Sequence, residues 1–238
     1  MNVMLLAAGR GTRMKPLTDY IPKPLLEVGG KPLIVWHLER LADAGFKNVV
    51  INHAWLGAQI ESYLGHGGPW GLNIDYSAET LALETAGGIA KALPRLGAEP
   101  FLVMNADVWC DWHPAHALTI QKHLQKHPAL LSWLLLVDNP AFHPNGDFYL
   151  QTNGMVDAEK KSVSDVPCAP SLTFSGIGIY KPLLFETLEP NQPAKLAPLL
   201  KQAMKEQRVI GEKHETRWVD VGTPERLALL DQTLAPLK

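Results

Sequence analysis

Cysteine is scarce: Cys110 and Cys168 are the only two in 238 residues. They are too few for a disulfide framework and lack metal-type spacing, so they read as two reduced thiols. No apolar stretch approaches the roughly 18 residues that a membrane helix requires. The first residues run straight into a strand-like segment, without the basic region and cleavage site of a signal peptide. Strong charge of either sign is also missing. The net charge is −2 and the basic residues are dispersed, so no patch suits nucleic acid or a membrane surface. Internal repeats, low-complexity tracts and linkers are absent. The expectation is a cytoplasmic protein of one compact domain, a monomer or a small homo-oligomer, with no nucleic-acid or membrane partner.

The 46% hydrophobic residues are arranged in alternating patterns. Val3 to Ala7 is a short apolar run ending in glycine, which predicts a strand buried on both faces. Ile34, Leu38, Leu41 and Gly45 keep helical spacing, with Pro32 suited to the first turn. A strand over Asn48–Asn52, a short helix through Leu56, Ile60 and Leu64 ending at Gly65, and a strand over Asn73–Tyr76 follow. Gly87–Leu96 then reads as a helix and Phe101–Met104 as a strand. This rhythm predicts an α/β fold, a Rossmann-like, mixed but mostly parallel sheet flanked by helices. Ligands in such sheets lie beyond the C-terminal strand ends, where Ala8–Arg13, His53 and Asn105–Asp107 should gather. After Asp138 the rhythm loosens into DNPAFHPNGD, with strands expected over Phe148–Gln151, Ser171–Tyr180 and Arg217–Val221. A last helix runs through Leu227, Leu230 and Leu234, with Thr223 as N-cap and Pro224 at its first position.

The stretch LLAAGRGTRMKPLT (residues 5–18) has the glycines and charges of a phosphate loop. Two familiar forms fail on spacing. A Walker loop and a dinucleotide fingerprint both need glycine where Met14 stands, and both launch a helix that Pro16, Pro22 and Pro24 oppose. The amides around Gly9 and Gly11 can nevertheless converge on an anion, with Arg10, Arg13 and Lys15 adding charge. The competing reading is a basic surface turn. Lys23 sits between two prolines in IPKPL, a stiff backbone that suits a fixed point charge aimed at a ligand. Asp107 and Asp220 each end a strand-like run. Two carboxylates converging beside phosphate suit Mg²⁺, which takes one or two protein oxygens and fills its shell with phosphate and water. Alternatively, Asp107 caps a helix before Trp109 and Asp220 is a turn carboxylate beside Gly222.

LAAGRGTRMKPLT, PKPL, the NAD of residues 105–107 and WVDVGTPERL together resemble the signatures of the sugar-1-phosphate nucleotidylyltransferases, nearly end to end. INHAWLG, LET with GGI, VDNP, GDF, LTFSGI and KLAPLL resemble in particular the branch that charges N-acetylmuramate 1-phosphate. The resemblance implies the nucleotide-diphospho-sugar transferase fold, with a nucleotide-binding part over about residues 1–110 and a sugar-binding part over about 111–238. It implies transfer of a uridylyl group from UTP to a sugar 1-phosphate, with Mg²⁺ as cofactor, in peptidoglycan recycling. Gly11, Thr12 and Arg13 would hold the triphosphate and the departing pyrophosphate, and Lys23 the α-phosphate. Asp107 and Asp220 would hold the metal, making Arg13, Lys23 and Asp107 the catalytic set. The base would rest near Ala8, Gly9, Glu84 and Gly88, and the sugar would face Asn105 and Gly146. Departures exist. Ala106 stands where many relatives have glycine or serine, and the Glu-Lys-Pro segment of the thymidylyl branch is not evident, so Lys195 is the substitute candidate. A β-helical acetyltransferase domain is not expected at this length.

Other residues carry open alternatives. His116, His123 and His127 share a helix face, the last two at metal spacing, although a solvated face explains them too. Trp109 and Trp112 could stack on a sugar or pack in the interior. A nicotinamide enzyme would need a third loop glycine and an acid where Asn52 and His53 stand. A non-catalytic nucleotide-binding regulator could dispense with both aspartates. Thymidylyl and guanylyl transfer remain the alternatives within the family.

Overall fold

The computed structural model describes residues 1–160 and 170–234, so Cys168 lies outside the described residues. In chain order the elements are β1 (Val3–Leu6), α1 (Leu17–Tyr20), β2 (Glu27–Val28), β3 (Lys31–Pro32), α2 (Leu33–Asp43), β4 (Asn48–His53) and α3 (Gly57–Leu64). Then come β5 (Asn73–Ala78), α4 (Glu84–Leu96), β6 (Phe101–Asn105), β7 (Val108–Cys110), α5 (His116–Lys126) and β8 (Ser132–Val137). The chain continues through β9 (Phe148–Leu150), β10 (Val156–Asp157), β11 (Ser171–Tyr180), α6 (Leu196–Lys205), β12 (Val209–Lys213), β13 (Trp218–Asp220) and α7 (Pro224–Leu234).

The main sheet runs β10-β9-β11-β6-β1-β4-β5, with β8 also on β11 and β12 beside β8. β6, β1, β4 and β5 are mutually parallel, β11 is antiparallel to β6 and β8, and β12 runs parallel to β8. The α/β, mixed and mostly parallel sheet expected from the alternation is therefore present. Alternate residues of β1 serve opposite layers. Val3 and Leu5 join Ile34, Leu38 and Ile120 on one face, while Met4 joins Ala86, Ile89, Leu200 and Met204 on the other. Each fully buried aliphatic side chain contributes about 1.5–3 kcal/mol, so both helix layers are anchored through the same central strand.

Several expected boundaries shift. Pro32 precedes α2 as its N-cap residue instead of opening it, since it pairs with Glu27 in the small β2–β3 pair. β5 continues to Ala78 because β4 offers it a full parallel edge. α4 begins at Glu84, three residues before Gly87, because the carbonyl of Ala194 accepts the Ala86 and Gly87 amides. The apolar run SWLLLV forms β8, and VIGEK forms β12, neither of which the early alternation pointed to. Ser171–Tyr180 is a strand as expected, and Thr223 Oγ1 accepts the Arg226 amide at 3.4 Å, the N-cap bond expected before α7.

Candidate active site

A cleft of about 610 Å³ opens at the C-terminal ends of β1, β4, β5 and β6. Its walls are the Ala8–Arg10 loop, Lys23, Ala54–Trp55, Glu79–Thr80, Ala82–Thr85, Asn105 and Asp107. The loop leaves β1 and tightens at Gly11, whose φ of +65° is costly for a side-chain-bearing residue. A Cβ there would also lie 3.0 Å from Thr18 Cγ2 and 3.3 Å from Lys23 Cβ. Met14 donates its amide to the Gly11 carbonyl, closing the Thr12–Met14 turn, and its side chain is fully buried. The prolines thus confine helical geometry to single turns, as anticipated. Pro22 and Pro24 frame the Lys23–Leu25 turn, and Lys23 is buried with its Nζ 2.5 Å from Asp107 Oδ2. Charge-assisted bonds of this kind are shorter and stronger than neutral ones.

Asp107 does not cap a helix, because the chain turns back at once into β7. β7 pairs with β13 as a two-stranded antiparallel ribbon, which sets Asp220 opposite Val108. The Val221 amide donates to the Asp107 carbonyl at 3.0 Å. Two aspartates 113 positions apart therefore become near neighbours through one ribbon register. Asp220 Oδ2 accepts from Arg226 Nη1 at 2.7 Å. A Cβ on Gly222 would fall 2.6 Å from Arg226 Nη2 and 3.0 Å from Arg13 Nη2, so the glycine leaves room for both guanidiniums against this turn. The ensemble is two carboxylates with Lys23, Arg13 and Arg226 nearby, a hard-oxygen donor pair of the kind Mg²⁺ uses.

The ribbon is pinned at its far end by Asp111. Asp111 Oδ1 accepts from Thr216 Oγ1 at 2.6 Å and lies 2.7 Å from His214 Nε2, while Oδ2 accepts the Arg217 amide at 3.2 Å. Burial by itself would raise this carboxyl; the bonds from Thr216, His214 and Arg217 outweigh it and hold Asp111 below its usual range. Cys110, Asp111 and His214 lie close enough for a metal, but Asp111 and His214 already bond each other, and burial pushes the Cys110 thiol up to about 11. We read the cluster as the pin that sets the register of Asp220. Asp111→Asn should lower turnover while raising the Mg²⁺ concentration needed for half-maximal rate. A loss of turnover with unchanged Mg²⁺ dependence would remove the pin from the account.

Beneath the ribbon, His37 is buried and hydrogen-bonds the Val108 backbone. Burial, and then the neighbouring Arg40, lower its pKa from 6.5 to about 4. Since the unfolded chain binds this proton more tightly, the contribution to stability is complete above about pH 6.5 and is lost as pH falls towards 4. The loss amounts to about 2–3 kcal/mol. In urea unfolding, the drop in stability between pH 7.5 and 4.5 should therefore be smaller in His37→Gln than in the wild type. An equal drop in both proteins would exclude this role.

The other half of the cleft floor was not read from the sequence. Asn52 Oδ1 accepts the Ala7 amide at 3.0 Å and its Nδ2 donates to Glu79 Oε1 at 2.7 Å. Glu79 Oε2 accepts the Leu83 amide at 3.0 Å, so one buried carboxylate ties β4 to the segment leading into α4. Gly88 rests on this network; a Cβ would meet Glu79 Oε1 at 2.7 Å and Asn52 Nδ2 at 2.9 Å. Asn52 carried a sequence signal as a polar end to an apolar strand. Glu79 carried none, because its partners come from distant segments.

Ala8, Gly9, Lys23, Glu84, Asn105 and Asp107 line the cleft together. Gly11, Thr12, Arg13, Gly88 and Asp220 do not line it: the first three follow in the loop, Gly88 lies below the floor, and Asp220 is tied to the Asp107 segment by the ribbon. Asn105 is seated on Gly176, a bulge at φ +82° in β11 where a Cβ would come within 2.6 Å of Asn105 Nδ2. Gly146 is not among the cleft-lining residues and sits in a turn at φ +60° packed on Asn139. Lys195 is exposed at the N-cap of α6, directly after the Ala194 that caps α4. Trp109 and Trp112 are both buried, the latter 5.7 Å from Trp133, which settles their packing role. His116 pairs with Glu212, and the His123 and His127 rings stack at 4.1 Å, so the three do not converge.

A family model described as nucleotidyl transferase matches residues 2–235. The chain belongs to the nucleotidyl transferase family. Among curated proteins, this nucleotidyl transferase is 53% identical to the N-acetylmuramate alpha-1-phosphate uridylyltransferase of Neisseria meningitidis serogroup B, over 95% of each chain. It is 35% identical to the protein of the same name from Caulobacter vibrioides, over 98% of this chain and 96% of that one. Its fold matches a putative glucose-1-phosphate thymidylyltransferase from Bacillus anthracis with a TM-score of 0.84 at 19% identity, covering 100% and 96% of the two chains. Among the described residues no helix is long and apolar enough to cross a membrane.

Proposed function

We propose that this nucleotidyl transferase moves the uridylyl group of UTP to N-acetylmuramate α-1-phosphate, giving UDP-N-acetylmuramate and pyrophosphate. It would act in the cytoplasm, as a monomer or small homo-oligomer, in peptidoglycan recycling. The observation that carries this reading is the 53% identity over 95% of both chains to the Neisseria meningitidis protein of that name.

A phosphate oxygen of the sugar 1-phosphate attacks the α-phosphorus, and the bond to the β-phosphate oxygen breaks. That nucleophile is ionised at neutral pH, so no general base is needed, and rate comes from positioning and charge neutralisation. Lys23, fixed by two prolines and Asp107, meets the charge on the α-phosphate. The amides of Gly11 and Thr12 with Arg13 take the pyrophosphate as its charge develops. Ala8, Gly9 and Glu84 border the base, with Gly88 beneath, while Asn105, Lys195 and the Gly146 turn belong to the sugar side. Asp107 and Asp220 would hold Mg²⁺, which when bound neutralises charge shared by the α-phosphate and the attacking phosphate.

N-acetylmuramate differs from N-acetylglucosamine by a lactyl carboxylate, and an unmet partner at a polar site costs about 1–3 kcal/mol. A panel of sugar 1-phosphates against UTP, dTTP, GTP and ATP, scored by pyrophosphate release, should show N-acetylmuramate 1-phosphate with UTP preferred. Lys195→Met should raise KM for the sugar phosphate and leave KM for UTP unchanged. Equal use of N-acetylglucosamine 1-phosphate would end the specificity claim while leaving nucleotidyl transfer in place.

A further inference from the structure

Arg10 stands between the two loop glycines and lines the cleft. Its guanidinium lies 3.3 Å above the ring of Trp55, which reaches over from the loop after β4. Its Nη1 is shut off from solvent and has no hydrogen-bond partner. The nearest carboxylate, Asp19, is 3.9 Å from Nη2, beyond hydrogen-bond reach, and is shared with Lys15. A guanidinium held over an indole, partly exposed and with one donor unpaired, is prepared for an acceptor that arrives in the cleft. Trp55 is itself fixed to the loop. Its Nε1 donates to the Thr18 carbonyl at 3.0 Å, and Thr18 Oγ1 donates to the Gly11 carbonyl at 2.8 Å.

We propose that Arg10 is an additional cationic contact for the terminal phosphates of the nucleotide, with Trp55 as the residue that positions it. This rests on the nucleotidyl-transfer reading. The assignment to the β- and γ-phosphates follows from the division of charge in the cleft. Lys23 is bonded to Asp107, and Arg13, assigned with Gly11 and Thr12 to the pyrophosphate, reaches towards Gly222. Arg10 lies in the same loop against Trp55, beside the end of β4, and adds a second cation with its donor unspent. Phosphate oxygens match a guanidinium as charge-assisted acceptors.

Pyrophosphate in the presence of Mg²⁺ is the direct probe. Calorimetry on the whole protein should give Arg10→Met a Kd for pyrophosphate about tenfold weaker than wild type, with KM for UTP raised by a similar factor and KM for the sugar 1-phosphate unchanged. Trp55→Leu, which removes the stacking face, should shift the same two constants, and Trp55→Phe should shift them less. The double variant Arg10→Met with Trp55→Leu should be no weaker than Arg10→Met alone, because the two residues act as a unit. A pyrophosphate Kd for Arg10→Met within twofold of wild type would overturn the proposal. Additive losses in the double variant would overturn the role of Trp55. If the wild type bound pyrophosphate through Arg10 yet transferred no nucleotidyl group, the assigned reaction alone would fall.

Discussion

Asp107→Asn and Asp220→Asn should each reduce turnover by about a hundredfold or more, equivalent to about 2.7 kcal/mol at 1.36 kcal/mol per tenfold. Each change keeps the side-chain shape and removes the negative charge. Asp107→Asn also strips the buried Lys23 of its 2.5 Å counter-ion, and Asp220→Asn does the same to Arg226 at 2.7 Å. Partial exposure of these carboxylates limits the stability loss, so the variants should fold with wild-type circular dichroism. Chelator should abolish wild-type turnover and Mg²⁺ restore it. Near-normal rates at low Mg²⁺ in either asparagine variant would release that aspartate from the metal set.

Lys23→Ala and Arg13→Ala should each slow the chemical step by at least tenfold, with Lys23 the more severe. Lys23→Ala leaves Asp107 without its cation and removes the charge proposed to meet the α-phosphate. Lys23→Arg should restore little of the lost rate, because the side chain rises through a tight space against Gly11 and ends in a compact ammonium's position. Arg13→Ala opens the flank against Gly222 and should be read in the pyrophosphate-releasing step, by rapid quench. Normal single-turnover rates in both alanine variants would return the loop to a basic surface turn.

The fold was legible because its main signals are local. β1, α2, β4, α3, β5, α4 and β6 each announce themselves by apolar period and by glycine or proline punctuation, and the alternation implies a parallel sheet. β8 and β12 escaped because a uniformly apolar strand and a short parallel edge strand carry no turn chemistry of their own. At the site, the glycine loop and the proline-framed Lys23 were readable for the same local reason. Glu79 was not, since a buried carboxylate is defined by Asn52, Leu83 and Gly88, which lie in three separate segments. Gly176 was visible only as part of a motif, and its use as a seat for Asn105 depends on the bulge opposite β6.

The amino-acid sequence alone determined the sheet type, the glycine loop without a Walker or dinucleotide spacing, and the basic residues around it. These follow from backbone restrictions at glycine and proline and from side-chain periodicity, which act over a few residues. Only the tertiary structure decided that Asp107 and Asp220 share one place, since that depends on the β7–β13 register and its pin at Asp111. It also decided that Trp109 and Trp112 are interior, that Gly146 serves a turn, and that Trp55 holds Arg10 over the cleft. Each of these is a contact between residues far apart in the chain, set by how the layers pack around β1.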